Sequence, residues 1–328
     1  MSRLLMLLVL LAGLAFVLSL AVGPAHLGLA DSLTGLFAGG NEAAAIILRD
    51  IRLPRALLGI ISGFSLGLAG AVLQGFLRNP LAEPGLLGVS AMSSLGAVIV
   101  FYSGIAGASL YVLPAGALAG AALAVLLLLV LASSSSATVT LILAGVALSS
   151  LAGAMISLAL NLSSNPFASY EIMFWLLGSF KDRSLVHAAL MAPLALLGSV
   201  LLLSTARALD ALTLGEDSAR GLGVDMKRLR LVVIAGVALT TAAVTSVAGA
   251  IGFVGLVAPH LVRPFTNRLP GNVLLPSAFG GAVLLTFADA ATRLLPTTIE
   301  LNVGVVTALI GAPFFLWIVS RPRKEMYW

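Results

Sequence analysis

Apolar runs long enough to cross a hydrocarbon core recur from one end of the chain to the other, at residues 4–22, 56–76, 110–132, 185–204 and 273–287, with others between them. A spanning helix needs about 20 such residues. Inside a bilayer every backbone N–H and C=O must be satisfied within the protein, which helices do along their own length. The sequence therefore predicts an all-α, polytopic membrane protein. Composition agrees: 60% of the 328 residues are hydrophobic and 9% are charged, against roughly 25% charged in an ordinary soluble domain.

Ten helices are expected, at about residues 4–22, 54–76, 86–103, 110–132, 138–161, 185–205, 230–250, 252–266, 273–294 and 303–320. The first run follows Arg3 and exceeds the roughly 7–15 residues of a signal-peptide core, so a retained helix is expected over a cleaved leader. No connector is large enough to be a soluble domain, so residues 1–328 read as one transmembrane domain. With an inner amino terminus, Arg3, Arg78, Arg207, Arg220, Lys227, Arg228, Arg230, Arg263, Arg268, Arg321, Arg323 and Lys324 lie inside. Arg49, Arg52, Arg55, Lys181, Arg183 and Arg293 lie outside. That division of the 18 cations, 12 against 6, follows the positive-inside rule and puts both termini in the cytoplasm. The net charge of +5 is spread over short connectors rather than one patch, which argues for a lipid bilayer and against nucleic acid as the partner. With no cysteine, disulfides, thiolate metal ligands and thiol nucleophiles are excluded.

Three connectors exceed tight turns. Residues 23–53 and 161–184 lie outside, the latter with an apolar stretch at 170–180 that fits a short re-entrant or interfacial helix; residues 206–229 lie inside. The outer stretch Arg49-Asp50-Ile51-Arg52-Leu53-Pro54-Arg55 crowds three cations against the general bias, which points to a need for positive charge outside. Asp289 and Arg293 stand four residues apart, on one helix face; either they neutralise each other or Arg293 reaches the outer surface to dock a partner. The echo between Ala69-Gly70-Ala71-Val72 and Ala248-Gly249-Ala250-Ile251 is a faint sign of an inverted repeat.

No Gly-Lys pair occurs, so the chain has no phosphate-binding P-loop; if ATP drives transport, ATP and Mg bind a separate ATPase subunit, and this chain binds no cofactor. A secondary carrier would place carboxylates deep in the bundle, and none is evident. An intramembrane enzyme is a third reading, for which the chain offers no His-Glu-x-x-His pattern and three scattered histidines, His26, His187 and His260. The inner connector carries Leu214-Gly215-Glu216-Asp217-Ser218-Ala219-Arg220-Gly221-Leu222-Gly223-Val224. Glu216 and Asp217 suit the positive end of a helix dipole and Gly223 the residue past its end. A short cytoplasmic helix follows, either a solvated connector or a surface presented to a soluble partner. Three further segments are broken by Gly and Pro: Asn79-Pro80-Leu81-Ala82-Glu83-Pro84, Gly252-Phe253-Val254-Gly255-Leu256 with Pro259-His260 and Arg263, and Gly304 to Phe315.

In this order and spacing these segments resemble the bacterial permease family of iron-siderophore, haem and vitamin B12 ABC importers, from about Arg49 to Phe315. The resemblance implies ten helices per subunit, a homodimer in the bacterial inner membrane, two ATPase subunits below and a periplasmic substrate-binding protein above. It implies that Arg52, Arg55 and Arg293 dock the binding protein, and that Gly215, Glu216, Ala219, Arg220 and Gly223 couple to the ATPase. It also implies an inner gate near Ser135, Ser136 and Thr138, a run that reads equally as a flexible polar turn. Substrate is carried over by family frequency: an iron-siderophore first, vitamin B12 or haem next. Two departures stand out, Glu300-Leu301-Asn302 where the family has Glu-Leu-Pro, and no Asp-His-Arg after Arg263.

Overall fold

The computed structural model describes residues 2–23, 42–134, 138–163, 165–294 and 300–320, and among these all regular structure is helical. Eight stretches are long and apolar enough to cross a membrane. In chain order the helices are α1 (Ser2–Ala21), α2 (Glu42–Ile46), α3 (Leu53–Leu77), α4 (Val89–Tyr102), α5 (Val112–Ser134), α6 (Thr138–Leu162), α7 (Pro166–Leu176) and α8 (Leu185–Leu203). They continue with α9 (Ala206–Leu212), α10 (Glu216–Gly221), α11 (Met226–Ala248), α12 (Val254–Val262), α13 (Pro270–Thr292) and α14 (Val303–Ser320).

Each of the ten expected segments coincides with a helix, but two are short. A 3₁₀ turn, Pro84–Leu87, and Gly88 in the left-handed region (φ 72°) delay α4, which spans 14 residues. α12 has 9 residues and opens only after Phe253, itself left-handed at φ 66°. The expected outer connector is shorter than its sequence suggests. A π-helical turn, Ile47–Arg52, joins α2 to α3 without a break, making one stretch of 35 residues, Ala43–Leu77. Pro54 has no N–H to donate, and at this join the Leu53 N–H bonds Leu48 O, one residue further back than in an α-helix. At about 1.5 Å per residue such a rod exceeds a hydrocarbon core of about 30 Å, so its amino-terminal part, with Arg49 and Arg52, projects beyond it. In the second long connector, where an apolar stretch at 170–180 predicts a short helix, α7 lies four residues earlier and is capped by the Asn165 side chain.

α3 and α11 are buried over most of their length, while α1, α5, α6 and α14 show leucine-rich faces outward. Lipid is as apolar as leucine, so helices associate here through close backbone packing rather than hydrophobic burial. α3 and α13 show this directly: a Cβ on Gly63 would fall 2.3 Å from Gly281 O, and one on Gly281 would fall 2.2 Å from Gly63 O. The two echoing segments pack differently. Gly70 lies mid-α3 against Gly255, whereas Gly249 ends α11 at φ 74° against Trp175 O. Small residues recur at both places for two different packing reasons.

Candidate functional site

The sequence-derived candidates fall on the two opposite ends of the bundle. At the end that the distribution of cations assigns to the outside, Arg52, Arg55 and Arg293 converge with Arg183, Lys181 and Glu300 around a cavity of about 500 Å³; outer and inner are used below in that sense. The π turn delivers Arg52 and α3 delivers Arg55 to this cavity, while Arg293 closes the last turn of α13. All three are nearly enclosed, with Arg52 2% and Arg55 6% exposed and the Arg293 side chain 3%.

Their charges are engaged inside the protein. Arg52 Nη1 donates to Leu20 O and Ala21 O, both at 2.9 Å, tying the π turn to the end of α1. Arg55 Nη2 lies 2.7 Å from Asp289 Oδ1 and 2.6 Å from Glu300 Oε1. Arg293 Nη2 lies 3.1 Å from Asp289 Oδ2, and its Nη1 donates to Ser19 O and Val22 O. Asp289, 1% exposed, thus bridges two arginines from two helices. Of the two readings of Asp289 and Arg293, the structure shows the neutralising pair, formed in the wall of this cavity with the Arg293 side chain 3% exposed.

A second recess of about 350 Å³, lined by Ser109, Asp182, Arg183, His187 and Ser246, adjoins the first through Asp182 and Arg183. Arg183 Nε donates to Val247 O at 2.6 Å, and burial lowers its pKa against the opposing effect of Asp182. Sequence reasoning counted Arg183 only as an outer charge and Glu300 only as part of a departure. Nothing local marks either one, because their partners lie elsewhere in the chain.

At the inner end, α10 forms where the caps placed it. Gly215 (φ 97°) opens it and Gly223 (φ 88°) closes it. Val224 N donates to Ala219 O and Gly223 N to Arg220 O, the paired bonds of a Schellman end. Ala219 is fully buried, whereas Leu214 and Leu222 are 66% and 65% exposed. Arg220 pairs with Glu216 and Asp217 on the exposed face, at 3.1 and 2.8 Å. Next to it, Asp210 of α9 accepts the Gly271 N–H at 2.7 Å, which fastens this segment to the first turn of α13. Of the gate candidates, Ser135 and Ser136 lie outside the described residues; Thr138 opens α6, and its side chain also lies outside them.

Between the two ends, the broken segments lock together. Glu83 accepts the Phe253 N–H that precedes α12. The Gln74 amide reaches Leu256 O at 3.4 Å, and its oxygen accepts from Arg263 at 2.7 Å. Gly63-Phe64-Ser65-Leu66-Gly67 has the Gly-x-Ser-x-Gly spacing of a hydrolase elbow. That chemistry needs a strained strand-to-helix turn exposing the serine. Here the five residues lie within α3 and Ser65 is buried, so the pattern is a packing face.

Residues 8–321 match the FecCD transport family. The chain belongs to this family. A cobalamin import permease of Halobacterium salinarum is 41% identical over 87% of this chain and 76% of its own. A Fe(3+)-citrate import permease of Bacillus subtilis is 35% identical over 94% and 91%. A solved structure, described as a metal-chelate type ABC transporter in an inward-facing conformation, superposes with a TM-score of 0.87 at 32% identity, covering 97% of this chain and 99% of that one. This protein is a permease subunit of an ABC importer, not an enzyme, and ATP is hydrolysed on a separate subunit. The secondary-carrier and intramembrane-enzyme readings fall with that assignment.

Proposed function

We propose that this permease carries an iron-siderophore complex across the bacterial inner membrane, receiving it from a periplasmic binding protein at the outer arginine cavity and drawing on an ATPase seated at α10. Vitamin B12 and haem are the alternative cargoes by the same route. Two copies of the chain form the pathway between them, over two ATPase subunits, with both termini cytoplasmic.

The observation that carries the two-faced reading is α13. Its first turn is held by Asp210 of the inner segment and its last turn carries Asp289 and Arg293 into the outer cavity. From Gly271 to Asp289 the helix runs about 27 Å at about 1.5 Å per residue. A displacement of α10 on nucleotide binding is thereby passed through α9 to a helix that also shapes the docking cavity. Iron chelate as the cargo is supported by relatives named for Fe(3+)-citrate and for metal-chelate transport. Cobalamin, named for another relative, is itself a metal chelate, so the class is broader than the choice within it.

The test is uptake into proteoliposomes holding this permease and its ATPase, with ferric siderophore, cobalamin or haemin supplied on the cognate binding protein. ATP-dependent uptake of the ferric complex above the other two is expected. Uptake of cobalamin or haemin alone would reassign the cargo, and uptake undiminished without ATP would reject the mechanism.

A further inference from the structure

Among the charges at the outer cavity, Arg55 and Arg293 form a four-membered ion-pair cluster with Asp289 and Glu300, two guanidiniums against two carboxylates, while Asp50, Arg52, Lys181, Asp182 and Arg183 line the rest of it. The two acids are not equivalent. Asp289 is 1% exposed and touches both arginines, so it holds their orientation. Glu300 comes from beyond the end of α13, its side chain is 25% exposed, and it lines the cavity itself. It also uses the same Nη2 of Arg55 that Asp289 already occupies, while the buried Arg55 Nε has no hydrogen-bond partner. A carboxylate is held best across two guanidinium nitrogens. Glu300 is therefore placed as a charge neutraliser without the geometry of a permanent clamp.

We propose that Glu300 is a built-in surrogate for an acidic side chain of the binding protein, occupying the cavity side of Arg55 in the free permease and giving way to the partner's carboxylate on docking. This rests on reading the cavity as the docking site. A dehydrated arginine lacking its counter-charge is costly, and the surrogate keeps the cluster neutral while no partner is present. Exchange of one carboxylate for another keeps it neutral afterwards. A tethered acid competes at high local concentration, so it lowers the partner's affinity and favours release. Asp289 cannot serve this role, because it is sealed between the two arginines it orients.

The sign of the effect is unusual: deleting a polar residue from the docking surface tightens docking. In nanodiscs holding the permease–ATPase complex, Glu300→Gln should bind the ligand-free cognate binding protein roughly 1.5-fold to fivefold more tightly, the range expected of one partly exposed ion pair. Glu300→Asp, which keeps the charge but shortens its reach, should shift affinity the same way by less. With Arg55→Lys in the background the gain from Glu300→Gln should vanish, since the competition acts through that guanidinium. Unchanged or weaker binding by both Glu300 variants, in complexes that co-elute with the ATPase, overturns the proposal; if Glu300→Gln fails to assemble, Glu300→Asp decides alone. The double variant Arg52→Gln, Arg55→Lys separates the two levels. If it binds like the wild type, the cavity is not the docking site; if it binds weakly while the Glu300 variants do not tighten, only the surrogate role fails.

Discussion

The outer cavity and the inner helix α10 both carry paired charges and use them in opposite ways. Outside, the arginines are enclosed and bound to carboxylates and carbonyls from other helices, so a partner must exchange contacts to gain them. Inside, Arg220 is half exposed and pairs only with its own helix, and the shape is set by two left-handed glycines. On the proposed reading, one face binds by substitution within a buried network, and the other by presenting a prefolded surface with exposed Leu214 and Leu222.

The contrast is broken most forcefully at Asp289. Asp289→Ala leaves Arg55 and Arg293 enclosed without the acid that bridges them, and removing one partner of a buried pair costs about 3–5 kcal/mol; a large drop in the melting temperature of the purified permease is expected. At the inner face, Gly223→Val forces an L side chain into the left-handed region at φ 88°, a cost of about 1–2 kcal/mol. It should deform the end of α10 and uncouple ATP hydrolysis from uptake, with a smaller change in melting temperature than Asp289→Ala.

Between the faces, Glu83 provides a pH test. Burial raises its carboxyl above the ordinary range, and the Phe253 hydrogen bond opposes this in part. A carboxyl raised in the folded state holds more protons there than in the unfolded chain, so stability falls as pH rises from the ordinary carboxylate range through the raised value. Melting against pH should show that fall, and Glu83→Gln, which keeps an acceptor for Phe253, should flatten it. The smallest stability effect is expected for Arg220→Ala, about 0.5 kcal/mol or less for an exposed intrahelical pair, together with a clear loss of coupled uptake. An equally large stability loss there would erase the contrast.

What was legible in the sequence follows from how local each feature is. The spans show as apolar runs, and α10 shows because Glu216, Asp217 and Gly223 all lie within one turn of its ends. The outer cluster joins Arg55 to a carboxylate 234 residues away, and no local pattern signals that pairing. Glu83 and Phe253 are 170 positions apart, so two Pro- and Gly-rich segments that each read as breaks turn out to brace each other. The extension of α3 through the π turn was hidden by Pro54, which reads as a helix start yet here sits about three turns inside a longer helical stretch.

The account stands on the separation of the two faces, and the most direct measurement is the affinity of the cognate binding protein for the reconstituted permease–ATPase complex. Arg52→Gln with Arg55→Lys should weaken that binding about tenfold or more, as expected when guanidinium forks facing carboxylates are lost, whereas Glu216→Ala should leave it unchanged while abolishing coupled uptake. Wild-type affinity in the outer variant, or an equal loss in the inner one, would contradict it.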